Sequence, residues 1–228
     1  MSELHETALQ LVADNRGILA ADESSGTIAK RFDTIGLEST EESRRAYRDM
    51  LFTTPGAEDH ISGVILFDET IRQSSADGTP FPALLESKGV IPGIKVDKGA
   101  KPLALAEGET ITEGLDGLRD RLSEYRELGA KFAKWRATYS ISQDLPSEYC
   151  VWTNAHALAR YAALCQEAGI VPIVEPEVLQ DGTHTIEESA KARSLAPRST
   201  LIPGMTPLSA SSFANGTPSE ELCRIVSS

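Results

Sequence analysis

FAKWRATYS, residues 132–140, has the composition of a buried strand, yet it carries Lys134 and Arg136 two places apart. Successive side chains of a strand point to opposite faces. That alternation puts Phe132, Lys134, Arg136 and Thr138 on one side and Ala133, Trp135, Ala137 and Tyr139 on the other. The second face is apolar throughout, a surface made to be covered. The first ends in two cations, and a charge held in a protein interior needs a counter-charge in front of it. Where those anions come from decides the fold.

The segment just upstream, GLDGLRDRLSEYRELG (114–129), places Leu115, Leu118, Leu122 and Tyr125 at helical spacing, with Gly129 suited to end the helix. The same order recurs downstream. In NAHALARYAALCQEAG (154–169) the stripe is Leu158, Tyr161, Leu164 and Ala168, Gly169 ends it, and the strand VPIVEPE (171–177) follows. Earlier strands fit the pattern: RGILAADES (16–24), SGVILFDET (62–70) and GIKVDKG (93–99), with a helix starting near Ser39, where Ser39 and Glu42 form a capping box.

Strands that alternate with helices build a parallel sheet, and strands apolar on both faces are covered by helices outside. Each strand carries its polar residues toward its C-terminal end: Asp22, then Asp68 and Glu69, Lys95 and Asp97, Lys134 and Arg136, Glu175 and Glu177. In a (β/α)₈ barrel that end is the mouth where chemistry is done. The predicted class is therefore α/β, a TIM barrel. Asp22, Lys95, Lys134, Arg136, Glu175 and Glu177 converge at its rim as mutual counter-charges, and a phosphorylated ligand accounts for the cationic excess around Lys95, Lys134 and Arg136.

Composition narrows the function. The formal net charge is −12, which argues against nucleic acid or an anionic membrane as partner. The cysteines are Cys150, Cys165 and Cys223, an odd number with no CxxC pair, as expected of a reducing cytoplasm. His5, His60, His156 and His184 stand at no metal-ligand spacing, and the sequence has no Walker motif and no GxGxxG. No apolar run approaches a membrane span, and the opening residues lack a signal-peptide pattern, so a cytoplasmic location is expected.

The motifs GILAADESSGTIAKR, GVILFDET, DGTPFP, GIKVDKG, ETITEGLDGL, FAKWRATYSI and VPIVEPEVLQDGTHTIE resemble, in order and spacing, those of the class I fructose-bisphosphate aldolases. The resemblance runs from near the start to about Glu187, so residues 1–187 are read as an aldolase-like barrel portion and 188–228 as a divergent tail, disordered or non-native. It implies reversible cleavage of fructose 1,6-bisphosphate to dihydroxyacetone phosphate and glyceraldehyde 3-phosphate, in glycolysis and gluconeogenesis. The implied mechanism uses a Schiff base, no metal and no cofactor. Sugar phosphates are the implied partners, and a homotetramer is expected of full-length relatives. Carried over, Asp22 resembles the aspartate that orients the reacting hydroxyl, Lys134 the cation beside the Schiff-base amine, and Glu175 the general acid/base, with Glu177 a supporting carboxylate. Lys95 and Arg136 resemble substrate-binding cations. Ser24, Thr27 and Arg31 lie in the first loop, which approaches the sugar and its distal phosphate; Thr27 stands where many relatives have serine.

The family pattern continues to a sixth strand ending in Leu-Lys-Pro-Asn, whose lysine forms the Schiff base. Here Ile202 precedes Pro203 in TLIPGMTP, and Lys191 is the one lysine beyond Lys134. Ser, Thr, Ala, Pro and Gly dominate from Ser189 onward, the composition of a disordered segment. The family's Ser-Gly-Gly phosphate loop and its C-terminal tyrosine are also missing. Five strands fall short of the eight a closed barrel needs. The chain is expected to be an incomplete barrel that folds poorly, associates through open edges or depends on a partner, and the alternative to an active aldolase is an inactive fragment that at most binds sugar phosphates weakly. A transaldolase-like reading fits the motif set less well.

Overall fold

The computed structural model describes residues 3–190, except 14, 143, 180 and 181, and residue 192. The segment 188–228, expected to diverge, therefore lies almost wholly outside the described residues, with Lys191, Ile202 and Cys223. Within them the chain runs α1 (Glu3–Leu11), β1 (Gly17–Ala21), α2 (Ser25–Asp33), α3 (Glu41–Thr53), β2 (Ile61–Leu66), α4 (Asp68–Ile71), α5 (Phe81–Ser87) and β3 (Ile91–Lys95). It continues with β4 (Ala100–Pro102), β5 (Thr110–Thr112), α6 (Leu118–Glu127), β6 (Phe132–Tyr139), α7 (Glu148–Glu167) and β7 (Val171–Val178). Five strands form one parallel sheet in the order β1-β2-β3-β6-β7. Each new strand is added on the same side of the last, which is how a (β/α)₈ barrel is wound. The sheet is five-eighths of such a ring.

Parity in FAKWRATY sorts the two faces as expected. Ala133, Trp135 and Ala137 are fully buried on the outer face, where the Trp135 ring lies 5.5 Å from that of Tyr161 on α7. The Tyr161 hydroxyl reaches the Ala133 carbonyl at 2.7 Å, so a buried polar group is satisfied without disturbing the strand ladder. On the inner face Phe132 joins Ala8, Leu11, Ile65 and Val171 in an apolar plug, and Ser62 Oγ donates to the Leu11 carbonyl at 2.6 Å, tying the end of α1 to β2. Gly93 is the register partner of Phe132, and any side chain on it would collide with the Phe132 ring. The floor of the site is thus apolar and the rim above it charged.

Helix ends explain the boundaries. Gly129 (φ +106°) and Gly169 (φ +71°) follow α6 and α7 with the left-handed backbone that stops a helix before the next strand. The capping box of α3 is not Ser39 with Glu42: Thr40 is the N-cap, and its hydroxyl accepts from the Ser43 amide at 3.1 Å while Ser43 Oγ accepts from the Thr40 amide at 2.9 Å. The box is shifted by one residue, so the amides it serves are those of Thr40 and Ser43, and Glu42 pairs with Arg45. Leu115 precedes α6, and β3 begins at Ile91 and ends at Lys95, so Asp97 lies past the strand. The antiparallel pair β4–β5 is an addition that the sequence pattern did not reveal.

Candidate active site

The charged residues stand just past the end of β1, at the end of β3, and along the inner faces of β6 and β7. Asp22 follows β1 and is 8% exposed; Lys134 rises from β6 beside it. The Lys134 Nζ lies 3.3 Å from Asp22 Oδ2 and 3.2 Å from Glu175 Oε2 on β7. One strand position further, Arg136 Nη1 is 3.1 Å from Glu177 Oε2. The two cations of FAKWR thus each face a carboxylate of VEPE, and Lys134 faces a second from LAADES. Lys95 is the register partner of Lys134 on β3 and forms no ion pair among the described residues.

Electrostatics divides the labour. Burial opposes the charge on Lys134, but Asp22 and Glu175 outweigh it and leave its pKa raised, so its amine is held as ammonium. Burial acts the other way on Glu175 and raises its carboxyl above the ordinary range, although Lys134 pulls it down and Glu177 adds to the rise. Asp97 is likewise pushed up by burial against the pull of Lys95, and its Oδ1 accepts from the Gly99 amide at 3.0 Å. A cation held by two carboxylates therefore stands beside a carboxyl that burial makes easier to protonate.

The first loop is built differently. Ser24 is the N-cap of α2, its hydroxyl accepting from the Thr27 amide at 3.3 Å and lying 3.0 Å from Thr27 Oγ1. Arg31 pairs with Glu23. Ser24 and Thr27 thus meet at the start of α2, whereas Arg31 stands in its last turn and reaches back to Glu23; none of the three bonds to Lys134 among the described residues. Asp68 and Glu69, expected at the rim, turn to the helices: Asp68 accepts from Arg72 at 2.9 Å and from the Tyr125 hydroxyl at 2.9 Å, and Glu69 is held by two nitrogens of Arg44 at 2.8 and 2.6 Å.

Past Lys134, where β3 no longer pairs with β6, threonines of β5 take over the strand edge. Thr112 Oγ1 donates to the Arg136 carbonyl at 2.7 Å, and Thr110 Oγ1 lies 3.0 Å from Thr138 Oγ1. Fully buried Asn154 on α7 donates to the Thr110 carbonyl at 2.8 Å and accepts from the Thr112 amide at 3.3 Å, so α7 clamps β5 over the end of β6. A groove of about 420 Å³ between α6 and α7, lined by Leu115, Leu118, Arg160 and Glu167 among others, lies on the outer layer and holds none of these residues. Among the described residues no His, Cys, Asp and Glu side chains gather as a metal site, and no helix is long and apolar enough to cross a membrane.

A part-barrel whose strand ends converge on lysine, arginine and carboxylates defines an α/β enzyme-type site. The family model for fructose-bisphosphate aldolase class-I matches residues 3–196. A probable fructose-bisphosphate aldolase class 1 of Xylella fastidiosa (strain Temecula1) is 55% identical over 233 residues, covering 99% of this chain and 70% of that relative. The cytosolic fructose-bisphosphate aldolase 6 of Arabidopsis thaliana is 57% identical over 188 residues, covering 82% of this chain and 52% of its own. Among solved structures, fructose-bisphosphate aldolase from Plasmodium falciparum, in a ternary complex with TRAP and a small-molecule inhibitor, aligns with a TM-score of 0.85 at 48% identity, over 89% of this chain and 60% of that one. The chain belongs to the class I fructose-bisphosphate aldolase family, and it spans between about half and just over two thirds of the length of these relatives.

Proposed function

We propose that the chain carries the sugar-phosphate-binding and proton-transferring part of a class I fructose-bisphosphate aldolase, which reversibly cleaves fructose 1,6-bisphosphate to dihydroxyacetone phosphate and glyceraldehyde 3-phosphate. The observation that carries this is the Lys134 ammonium set between Asp22 and Glu175 at 3.3 and 3.2 Å. In the reaction an amine condenses with the ketone and water leaves. The resulting iminium accepts the electron pair of the breaking carbon–carbon bond, while the hydroxyl on the departing aldehyde loses its proton. Glu175, whose carboxyl is raised by burial, gives the proton that takes water out of the carbinolamine. Asp22 holds the reacting hydroxyl and helps its proton leave, and Lys134 steadies the developing negative charge. Lys95 and Arg136 bind substrate, Glu177 keeps Arg136 oriented, and Ser24, Thr27 and Arg31 meet the distal phosphate. The cytoplasm is the proposed compartment, in line with the cytosolic relatives from Arabidopsis.

Lys134 is not the condensing amine in this reading, because two carboxylates hold it protonated and a nucleophile needs a free electron pair. A second reading, binding without cleavage by residues 1–228 alone, is favoured by one observation: Ile202 stands before Pro203, where the family pattern has lysine. Borohydride trapping with dihydroxyacetone phosphate, followed by peptide mapping, tests both. The expected result is no reduced adduct on Lys134. An adduct there would overturn the role given to it, and one on Lys191 would remove the case for binding without cleavage.

A further inference from the structure

Behind Asp22 lies a buried arginine that the reaction scheme leaves unused. Arg48 on α3 is 1% exposed, its Nη2 is 2.9 Å from Glu23 Oε2, and the same nitrogen donates to the Glu23 carbonyl at 3.2 Å. The other side of the Glu23 carboxylate meets Arg31. Glu23 is the residue after Asp22, and residues 22–24 are the link from β1 to α2. One guanidinium therefore grips both the side chain and the backbone of the residue between Asp22 and the cap Ser24, while Lys134 holds Asp22 from the front.

Such burial is costly, since removing a guanidinium from water opposes its charge, and here Glu23 and Asp22 offset part of that penalty. The Arg48 Nε and Nη1 have no hydrogen-bond partner among the described residues, and the Tyr47 ring, 5.2 Å away, supplies a further contact to the cation. A helix needing only stability would place an aliphatic residue here. A single nitrogen, Nη2, meets both the carboxylate and the carbonyl of Glu23, while the planar guanidinium also lies by the Tyr47 ring, a stacking contact that a lysine ammonium makes less well.

We propose that Arg48 is a positioning residue for the site: acting through Glu23, it fixes the Asp22–Ser24 link so that Asp22 faces Lys134 and Arg31 stays where a sugar phosphate reaches it. The phosphate clause rests on the functional reading above; the fixing of the link does not. Arg48→Met keeps the buried volume, Arg48→Lys keeps the charge, and Phe52→Leu perturbs the packing of the same helix away from the site. For each variant, amide hydrogen exchange of residues 22–28 and the calorimetric Kd for fructose 1,6-bisphosphate are compared with the parent at matched distance below Tm.

Arg48→Met is expected to speed exchange across residues 22–28 and to weaken bisphosphate binding about tenfold, the loss of one charge-assisted contact. Arg48→Lys is expected to recover part of both effects, and Phe52→Leu to show neither. Unchanged exchange in Arg48→Met, or equal effects from Phe52→Leu, overturns the proposal. If the parent binds no bisphosphate while Arg48→Met still loosens residues 22–28, positioning stands and the sugar-phosphate reading falls. If the parent binds bisphosphate and Arg48→Met matches it in both affinity and exchange, positioning falls and the sugar-phosphate reading stands.

Discussion

Lys134 is charged because of what stands opposite it, and Glu175 is reluctant to be charged because of where it stands. The second statement has a sign that melting can read. A carboxyl raised on folding binds its proton more tightly in the native state, so its contribution to stability is fully present below the unfolded carboxyl pKa and is lost as pH rises through the folded value. At pH 7 the native protein bears that penalty. Glu175→Gln removes it and is expected to raise Tm by about 1–3 °C at pH 7, with the difference disappearing at about pH 4, near the unfolded pKa of glutamate. Thermal melts at both pH values check this, and a lowered Tm at pH 7 would show that ionised Glu175 is a net stabiliser. The residues of this centre were legible because strand parity and the opposite charges of FAKWR and VEPE needed no coordinates. Glu23 and Arg48 were not: they stand 25 positions apart on different elements, and no local pattern announces a pair that only packing brings together.

At the scale of elements, β6 depends on glycine next door. An added Cβ at Gly93 would lie against three carbons of the Phe132 ring, in the plug that supports Lys134 one strand position above. Gly93→Ala is expected to destabilise the chain by about 1–3 kcal/mol, the range for overpacking a filled core. Urea unfolding reads it, and Phe132→Leu added to Gly93→Ala should recover part of the loss; an unchanged midpoint in the single variant would mean that the plug is loosely filled. The five sheet strands were readable because each follows a helix, most of them through a glycine, and ends in charges. The β4–β5 pair escaped because three-residue strands leave too little alternation to read, and its support comes from Asn154, some 40 residues away. The capping box of α3 falls one residue from its expected place because Ser39, Thr40 and Ser43 all offer hydroxyls, and which of them caps depends on backbone angles that sequence does not display.

Over the whole molecule, β1 and β7 each pair on one side only among the described residues, and Ala20 on the inner face of β1 is exposed. Unpaired parallel edges recruit partners. Expressed as residues 1–228, the chain is expected to run in light-scattering chromatography as concentration-dependent oligomers; a compact monomer with one cooperative melt would contradict that. A part-barrel was readable because it follows from helix–strand alternation, and its charged rim because the charges recur toward one end of the strands. That Thr27 and Arg31 stand on α2 and not in a loop, with Arg31 paired to Glu23, was not, since that ion pair forms only when the helix folds back on the β1–α2 link. The central proposal is that Lys134, pinned by Asp22 and Glu175, is part of the charged pocket that binds and turns over a phosphorylated ketose. Calorimetric titration of fructose 1,6-bisphosphate into the parent and into Lys134→Met tests it most directly: the account predicts binding by the parent that the substitution weakens about 10–100-fold, as expected for a charge-assisted contact, whereas equal affinities would contradict it.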